Sequence, residues 1–197
     1  MPTMIQPVNS SLKRGAPSLS PAVFLDRDGT IIEDRGDLRH PSQVVFFRET
    51  ADALRRLGER FHLFIVTQQS GVARGILSMG DVESVNRHVI SHLEEAGVRI
   101  VKTYVCPHER SDGCRCMKPN PYFLMEAERH YAIDLKRSFV IGDHPHDVDL
   151  AINAGAAGIY VLSGHGAKHR EEIAGEILVA EGIREAADII LGYGDNA

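Results

Sequence analysis

The chain has 197 residues, 43% hydrophobic and 25% charged, with a formal charge of −5. That is the composition of an ordinary globular protein with a sizeable core, and its acidity excludes the basic footprint of a nucleic-acid binder and argues against anionic membrane surfaces. No apolar run approaches the ~20 residues that span a bilayer, and Lys13 and Arg14 precede no apolar segment of a secretory signal. Residues 1–20, rich in Pro, Ser and Asn, read as a flexible leader to a single domain over 21–197. A cytoplasmic monomer with neither nucleic acid nor membrane as partner is expected.

Ala22-Val-Phe-Leu25 is a short apolar run, which predicts a buried parallel strand. Glu33–Ser42 is polar, with Gly36 and Pro41, and predicts a loop that can lie over the sheet end. Thr50–Gly58 has helical spacing and stops at a glycine. Phe61–Val66 predicts a second buried strand. From Ser78 to Ala96 the residues Val82, Val85, Val89, Ile90 and Leu93 fall on one helical face. Val98–Val105 alternates enough to predict a strand toward an edge. Pro121–Tyr131 suits a helix with proline in its first turn. Ser138–Ile141, Asp147–Ala154 and Gly158–Leu162 then predict strand, helix and strand. Beyond Gly166 a charged, helical stretch is expected through Ala187, with Ile189–Leu191 unplaced. Strands alternating with helices give an α/β fold: a doubly wound, mostly parallel sheet with helices on both faces and no large cap domain.

Chemistry collects where the predicted strands end. Asp26 and Asp28 follow the first strand, one residue apart, so an extended backbone sends both side chains toward one site. Thr67 follows the second, Gly142-Asp143 the fourth, and Asp147 lies in the next turn. Lys118 stands just before a helix. Taken singly, each is better read as a cap, a turn or a solvated charge; their joint placement on one face of one sheet shifts the balance. The set suits phosphoryl transfer. Asp26 and Asp143 can hold Mg2+, while the metal, Lys118 and the Thr67 hydroxyl can neutralise phosphoryl oxygens. Asp26 can attack phosphorus, and Asp28 can protonate the leaving oxygen and later deprotonate water. Phospho-receiver domains gather similar residues, but they carry the accepting Asp after the third strand, which here leads to cysteines.

Those three cysteines, Cys106, Cys114 and Cys116, share an eleven-residue window with His108. Three thiolates and an imidazole would close a tetrahedral structural zinc site. A disulfide with one thiol left over, or three buried thiols, leaves the adjacent histidine unexplained. A zinc-stapled adaptor without catalysis is a further alternative, which the intact Asp26, Asp28, Lys118 and Asp143 speak against.

Asp26-x-Asp28-Gly-Thr30, Thr67, Lys118 and Gly142-Asp143-x-x-x-Asp147 resemble, in order and spacing, the four motifs of the haloacid dehalogenase superfamily of phosphatases. The resemblance implies Asp26 as nucleophile and Asp28 as acid and base. It also implies magnesium on Asp26, Asp143 and the backbone carbonyl of Asp28, with Asp147 supporting the site from behind. The cysteine loop is similar to that of the zinc-bearing branch, which holds heptose 1,7-bisphosphate 7-phosphatases and histidinol-phosphate phosphatases. Thr67-Gln-Gln-Ser-Gly-Val-Ala-Arg-Gly75 is closer to the former. By that likeness Asp34, Arg35, Gly36, Asp37, Gln68, Gln69, Ser70 and Arg74 would contact the sugar, the substrate being a small phosphorylated metabolite of the heptose bisphosphate kind. Three departures stand out: Gln68 replaces an Asn, and Met117 and His144 replace residues that are usually cationic. A weaker or more permissive enzyme is expected.

Overall fold

The computed structural model describes residues 19–193 apart from 174 and 176. Most of the leader expected over residues 1–20 therefore lies outside the described residues. Its last residue, Ser20, pairs with Ile133 in an isolated parallel bridge. Six strands form one parallel sheet: β1 (Ala22–Leu25), β2 (His62–Gln68), β3 (Ile100–Cys106), β4 (Phe139–Gly142), β5 (Ala157–Val161) and β6 (Leu178–Ala180), in the order β3-β2-β1-β4-β5-β6. β1 therefore sits at the centre, in register with β2 through Phe24 and Phe64 and with β4 through Phe24 and Val140. β3 lies at the edge that its alternating sequence predicts.

Helices cover both faces. Val23 and Leu25 point into a core made with α1 (Thr50–Gly58), α2 (Met79–Glu95) and α6 (Ile183–Tyr193), among them Leu54, Val85, Val89 and Ile190. Ala22 and Phe24 point the other way, onto Phe64, Leu124 of α3 (Tyr122–Tyr131) and Leu150 of α4 (Pro145–Ala154). Burial on both sides is why β1 is apolar throughout rather than alternating.

The C-terminal stretch corrects the expectation of a continuous helix through Ala187. A four-residue helix α5 (Gly166–His169) is followed by β6, and α6 begins only at Ile183 and takes in Ile189–Leu191. Three residues suffice for β6 because they extend a sheet already formed, pairing with β5 at Ile159, Tyr160 and Val161. α4 also begins two residues earlier than predicted: His144 is its N-cap, Pro145 its first residue and Asp147 closes a capping box.

Because the chain runs from β1 outward to β3 and returns to β4 on the other side of β1, the winding reverses between β1 and β4. Open α/β sheets bind ligands at the carboxyl ends of strands at such a reversal. At the opposite, N-terminal ends of the strands, Pro21, Phe61, Phe139 and Tyr193 line a separate cavity of about 290 Å3. Among the described residues no helix is long and apolar enough to cross a membrane.

Candidate active site

β1 and β4 deliver the first two carboxylates. Asp26 continues β1, its N–H bonded to the Ile141 carbonyl at 2.9 Å, and Asp143 follows β4. Carboxylate oxygens of Asp26, Asp143 and Asp147 all lie within 4.8 Å of one another. Lys118, 7% exposed, reaches in between, donating to Asp26 Oδ1 at 2.5 Å and Asp147 Oδ1 at 2.7 Å. Burial raises the pKa of Asp26 well above the carboxylate range; Lys118 opposes this and the Asp147, Asp143 and Asp28 charges add to it. Burial would lower that of Lys118, but the Asp147 and Asp26 charges outweigh it and keep the ammonium charged. Three carboxylates against one ammonium leave negative charge in excess, which a divalent cation would balance.

The backbone is shaped around this cluster. Gly29 (φ +81°) and Gly164 (φ +55°) press on Asp143, and a Cβ on either would come within 2.0 or 2.2 Å of its Oδ2. The same oxygen accepts the His165 backbone N–H at 2.7 Å. The acidic pocket fits magnesium: hard oxygen donors, excess negative charge, and no side chain able to fill the cradle.

Asp28 is held differently. Its Oδ2 accepts from Arg27 Nη2 at 2.8 Å, from Gln69 Nε2 at 2.9 Å and, at 3.4 Å, from the Thr67 hydroxyl. Sequence reasoning missed Arg27, and it gave Gln69 to the sugar although the side chain is 7% exposed and turned inward. Thr67, buried at the end of β2, also accepts from Gln69 Nε2 at 2.8 Å.

Above lies a cavity of about 470 Å3. Of the expected sugar contacts, Asp34, Gln68, Ser70 and Arg74 reach its wall. Arg35, Gly36, Asp37 and Gln69 do not: Arg35 pairs with Glu33 at 2.9 Å, Gly36 turns the loop with its N–H on Asp34, and Asp37 pairs with Arg74 at 3.3 Å. The rim holds residues no motif announced, among them His146, His165 and Arg110. His144 and His146 meet edge to face with ring centres 4.6 Å apart, and burial followed by the His146 charge lowers the His144 pKa. Arg110 Nη2 lies 2.9 Å from His146 Nε2. A neighbouring cavity of about 490 Å3 shares Arg110, Met117, Lys118 and His146 with the first.

The cysteine loop joins β3 to Lys118. Its sulfurs lie 3.7 Å (Cys106–Cys114), 3.3 Å (Cys106–Cys116) and 3.5 Å (Cys114–Cys116) apart, with His108 Nδ1 3.2 Å from Cys116. These separations exclude a disulfide, whose bond is about 2.05 Å. A tetrahedron of ligands at about 2.3 Å from zinc has edges near 3.8 Å, so the four groups are spaced to share one ion. Burial pushes the Cys106 thiol up, and a bound metal would reverse that.

A doubly wound sheet with carboxylates and a lysine converging at its switch point is the arrangement of a phosphoryl-transfer protein. Residues 115–186 match the family model described as "HAD-hyrolase-like". The Yersinia pestis D-glycero-beta-D-manno-heptose-1,7-bisphosphate 7-phosphatase is 37% identical over 142 residues, 68% of this chain and 76% of that protein. The protein of the same name from Escherichia coli K12 is 35% identical over 142 residues, 68% of this chain and 74% of its own length. A crystal structure of D,D-heptose 1.7-bisphosphate phosphatase from B. bronchiseptica, complexed with magnesium and phosphate, superposes with a TM-score of 0.82 at 27% identity, over 88% of this chain and 99% of that one. The chain belongs to the haloacid dehalogenase-like hydrolases, within the family of these phosphatases, and is itself a phosphatase acting on phosphoric monoesters.

Proposed function

We propose that the protein removes the 7-phosphate of a heptose 1,7-bisphosphate through an aspartyl-phosphate on Asp26. In the first half-reaction an Asp26 oxygen bonds to phosphorus, the bond to the leaving oxygen breaks, and Asp28 gives that oxygen a proton. In the second, water bonds to phosphorus and yields a proton to Asp28, and the electron pair of the broken Asp26–phosphorus bond returns to Asp26. Lys118 orients the nucleophile and offsets phosphoryl charge, while Thr67 helps hold Asp28. Magnesium would be held by Asp26, Asp143 and the Asp28 carbonyl, with Asp147 behind them, and would supply charge neutralisation at the phosphoryl group. Zinc would be held by Cys106, His108, Cys114 and Cys116, fixing the loop that leads to Lys118.

One observation supports a bisphosphate over a monophosphate. The catalytic cavity adjoins a second whose lining includes Arg110, Lys118 and His146 and no carboxylate. Arg110 has an imidazole rather than a carboxylate as its hydrogen-bond partner, which leaves its charge available to an anion. It offers a cation where Met117 and His144 take the place of two usual ones. A hydrogen bond to a charged group contributes about 1.5–3 kcal/mol, so Arg110→Met should lower kcat/KM for the heptose bisphosphate by about 10–150-fold. A heptose monophosphate should lose less than about threefold. Wild-type preference for histidinol phosphate over both heptose bisphosphate anomers would overturn the substrate, and equal losses on both heptose substrates would overturn the role of Arg110.

A further inference from the structure

Among the described residues Arg27 is the largest fully buried side chain, at 1% exposure, and the chemistry above does not use it. A guanidinium keeps its charge at any ordinary pH and offers five N–H donors in a rigid fork. Two arms of this fork are committed to Asp28: Nε to both carboxylate oxygens at 3.2 and 3.1 Å, and Nη2 to both at 3.0 and 2.8 Å. The third arm, Nη1, donates to Asn86 Oδ1 at 2.7 Å. Asn86 is itself 8% exposed and sits on the inward face of α2, beside Val85 and Val89. A helix fifty-nine positions along the chain thus sets where the fork lies. The two Asp28 oxygens are also loaded unequally: Oδ2 takes Arg27, Gln69 and Thr67, whereas Oδ1 takes Arg27 alone.

We propose that Arg27 and Asn86 are positioning residues that hold the Asp28 carboxyl so that Oδ1 is the atom that gives up and takes back the proton. The proposal rests on the acid and base role given to Asp28 above. A carboxyl on a turn after a strand is free to rotate about its side-chain bonds, and a misplacement of about 1 Å can cost about a hundredfold in rate. A buried charge that must keep its partner removes that freedom, because turning Asp28 away would leave Arg27 unpaired in the interior. Asn86 completes the device by fixing the far side of the guanidinium.

Leaving-group chemistry separates positioning from mere support. 4-Nitrophenolate departs readily without a proton, whereas phenolate needs one, and kcat/KM reports the steps through the first bond cleavage. Asn86→Leu, which removes the acceptor at similar size, is expected to lower kcat/KM for phenyl phosphate about tenfold or more and for 4-nitrophenyl phosphate less than threefold. Asn86→Ala, which admits water to Arg27 Nη1, should show the same split at smaller amplitude and serves if the leucine variant does not fold. Asp28→Asn measured alongside should show the split at its largest. An even loss across both esters in the Asn86 variants, with a split in Asp28→Asn, overturns the positioning role alone. An even loss in Asp28→Asn overturns the acid role and this proposal with it. Neither result depends on the natural sugar.

Discussion

The carboxylate cluster at the strand ends and the cysteine cluster on the adjoining loop each bring potential metal ligands within 4.8 Å, yet they are built in different ways. Asp26 follows β1, whereas Asp143 and Asp147 lie far along the chain, after β4 and in the first turn of α4, and two adjacent parallel strands with helices on both faces hold them where they are. They also carry an internal cation, since Lys118 binds two of the three. The cysteines come from eleven consecutive residues, and among the described residues the apolar side chains clustered with them are Met117, Tyr122 and Phe123. Among the described residues no Lys or Arg takes part in their hydrogen bonding. A scaffold of strands keeps the first cluster in shape whether or not a metal is bound. A short loop has no such reserve, so an ion bound there would have to supply the order.

The sharpest way to break this contrast is at Asp26. Asp26→Asn should lower kcat by about 10^4-fold or more, because an amide cannot form the acyl phosphate. The melting temperature should change little, since the strand and its helices remain; phosphate release near the wild-type rate would refute the mechanism. Cys114→Ser should act in the opposite sense. Elemental analysis should find one zinc per wild-type chain and none in the variant, with the midpoint lower by about 5 °C or more and kcat reduced through a loosened Lys118. Unchanged melting with full activity would make the four ligands incidental.

The smallest expected effect is a pH dependence. Burial raises the Asp143 carboxyl to about 6, with the Asp147 charge adding to it and the His165 N–H opposing. Between its unfolded value of about 4 and this folded value, the metal-free native chain binds more protons here than the unfolded chain. This group therefore favours folding at low pH, and that contribution is lost as the pH rises through about 6. Magnesium needs the ionised form, so the rise in melting temperature on adding it should be slight at about pH 5 and grow toward pH 7. A magnesium effect independent of pH would detach Asp143 from the metal.

What the chain discloses by itself follows the distance over which each feature is determined. The clustering of Asp26 and Asp28 is legible because strand, turn and carboxylates are contiguous, and that of the cysteine set because its four side chains are near neighbours in the chain. Arg27 is not, since its role depends on Asn86 in a helix that no local pattern brings to the strand end. Gln69 looks like a substrate contact from its motif, but the turn after β2 directs its amide onto Asp28 and Thr67. β6 hides because three residues in a charged neighbourhood carry no period, and they become a strand only beside β5. The histidines at the rim come from the segments after β4 and after β5, which are adjacent only once the sheet is wound.

The cavity lined by Pro21, Phe61, Phe139 and Tyr193 gives the molecule a back as well as a front. The described chain enters and leaves on that side: Pro21 leads into β1, and the Tyr193 ring lies 6.4 Å from that of Phe139. A bead or an affinity handle fixed to the side chains of this face would sit at the end of the sheet opposite the mouth of the reaction chamber. The architecture is thus suited to a catalyst immobilised by that face.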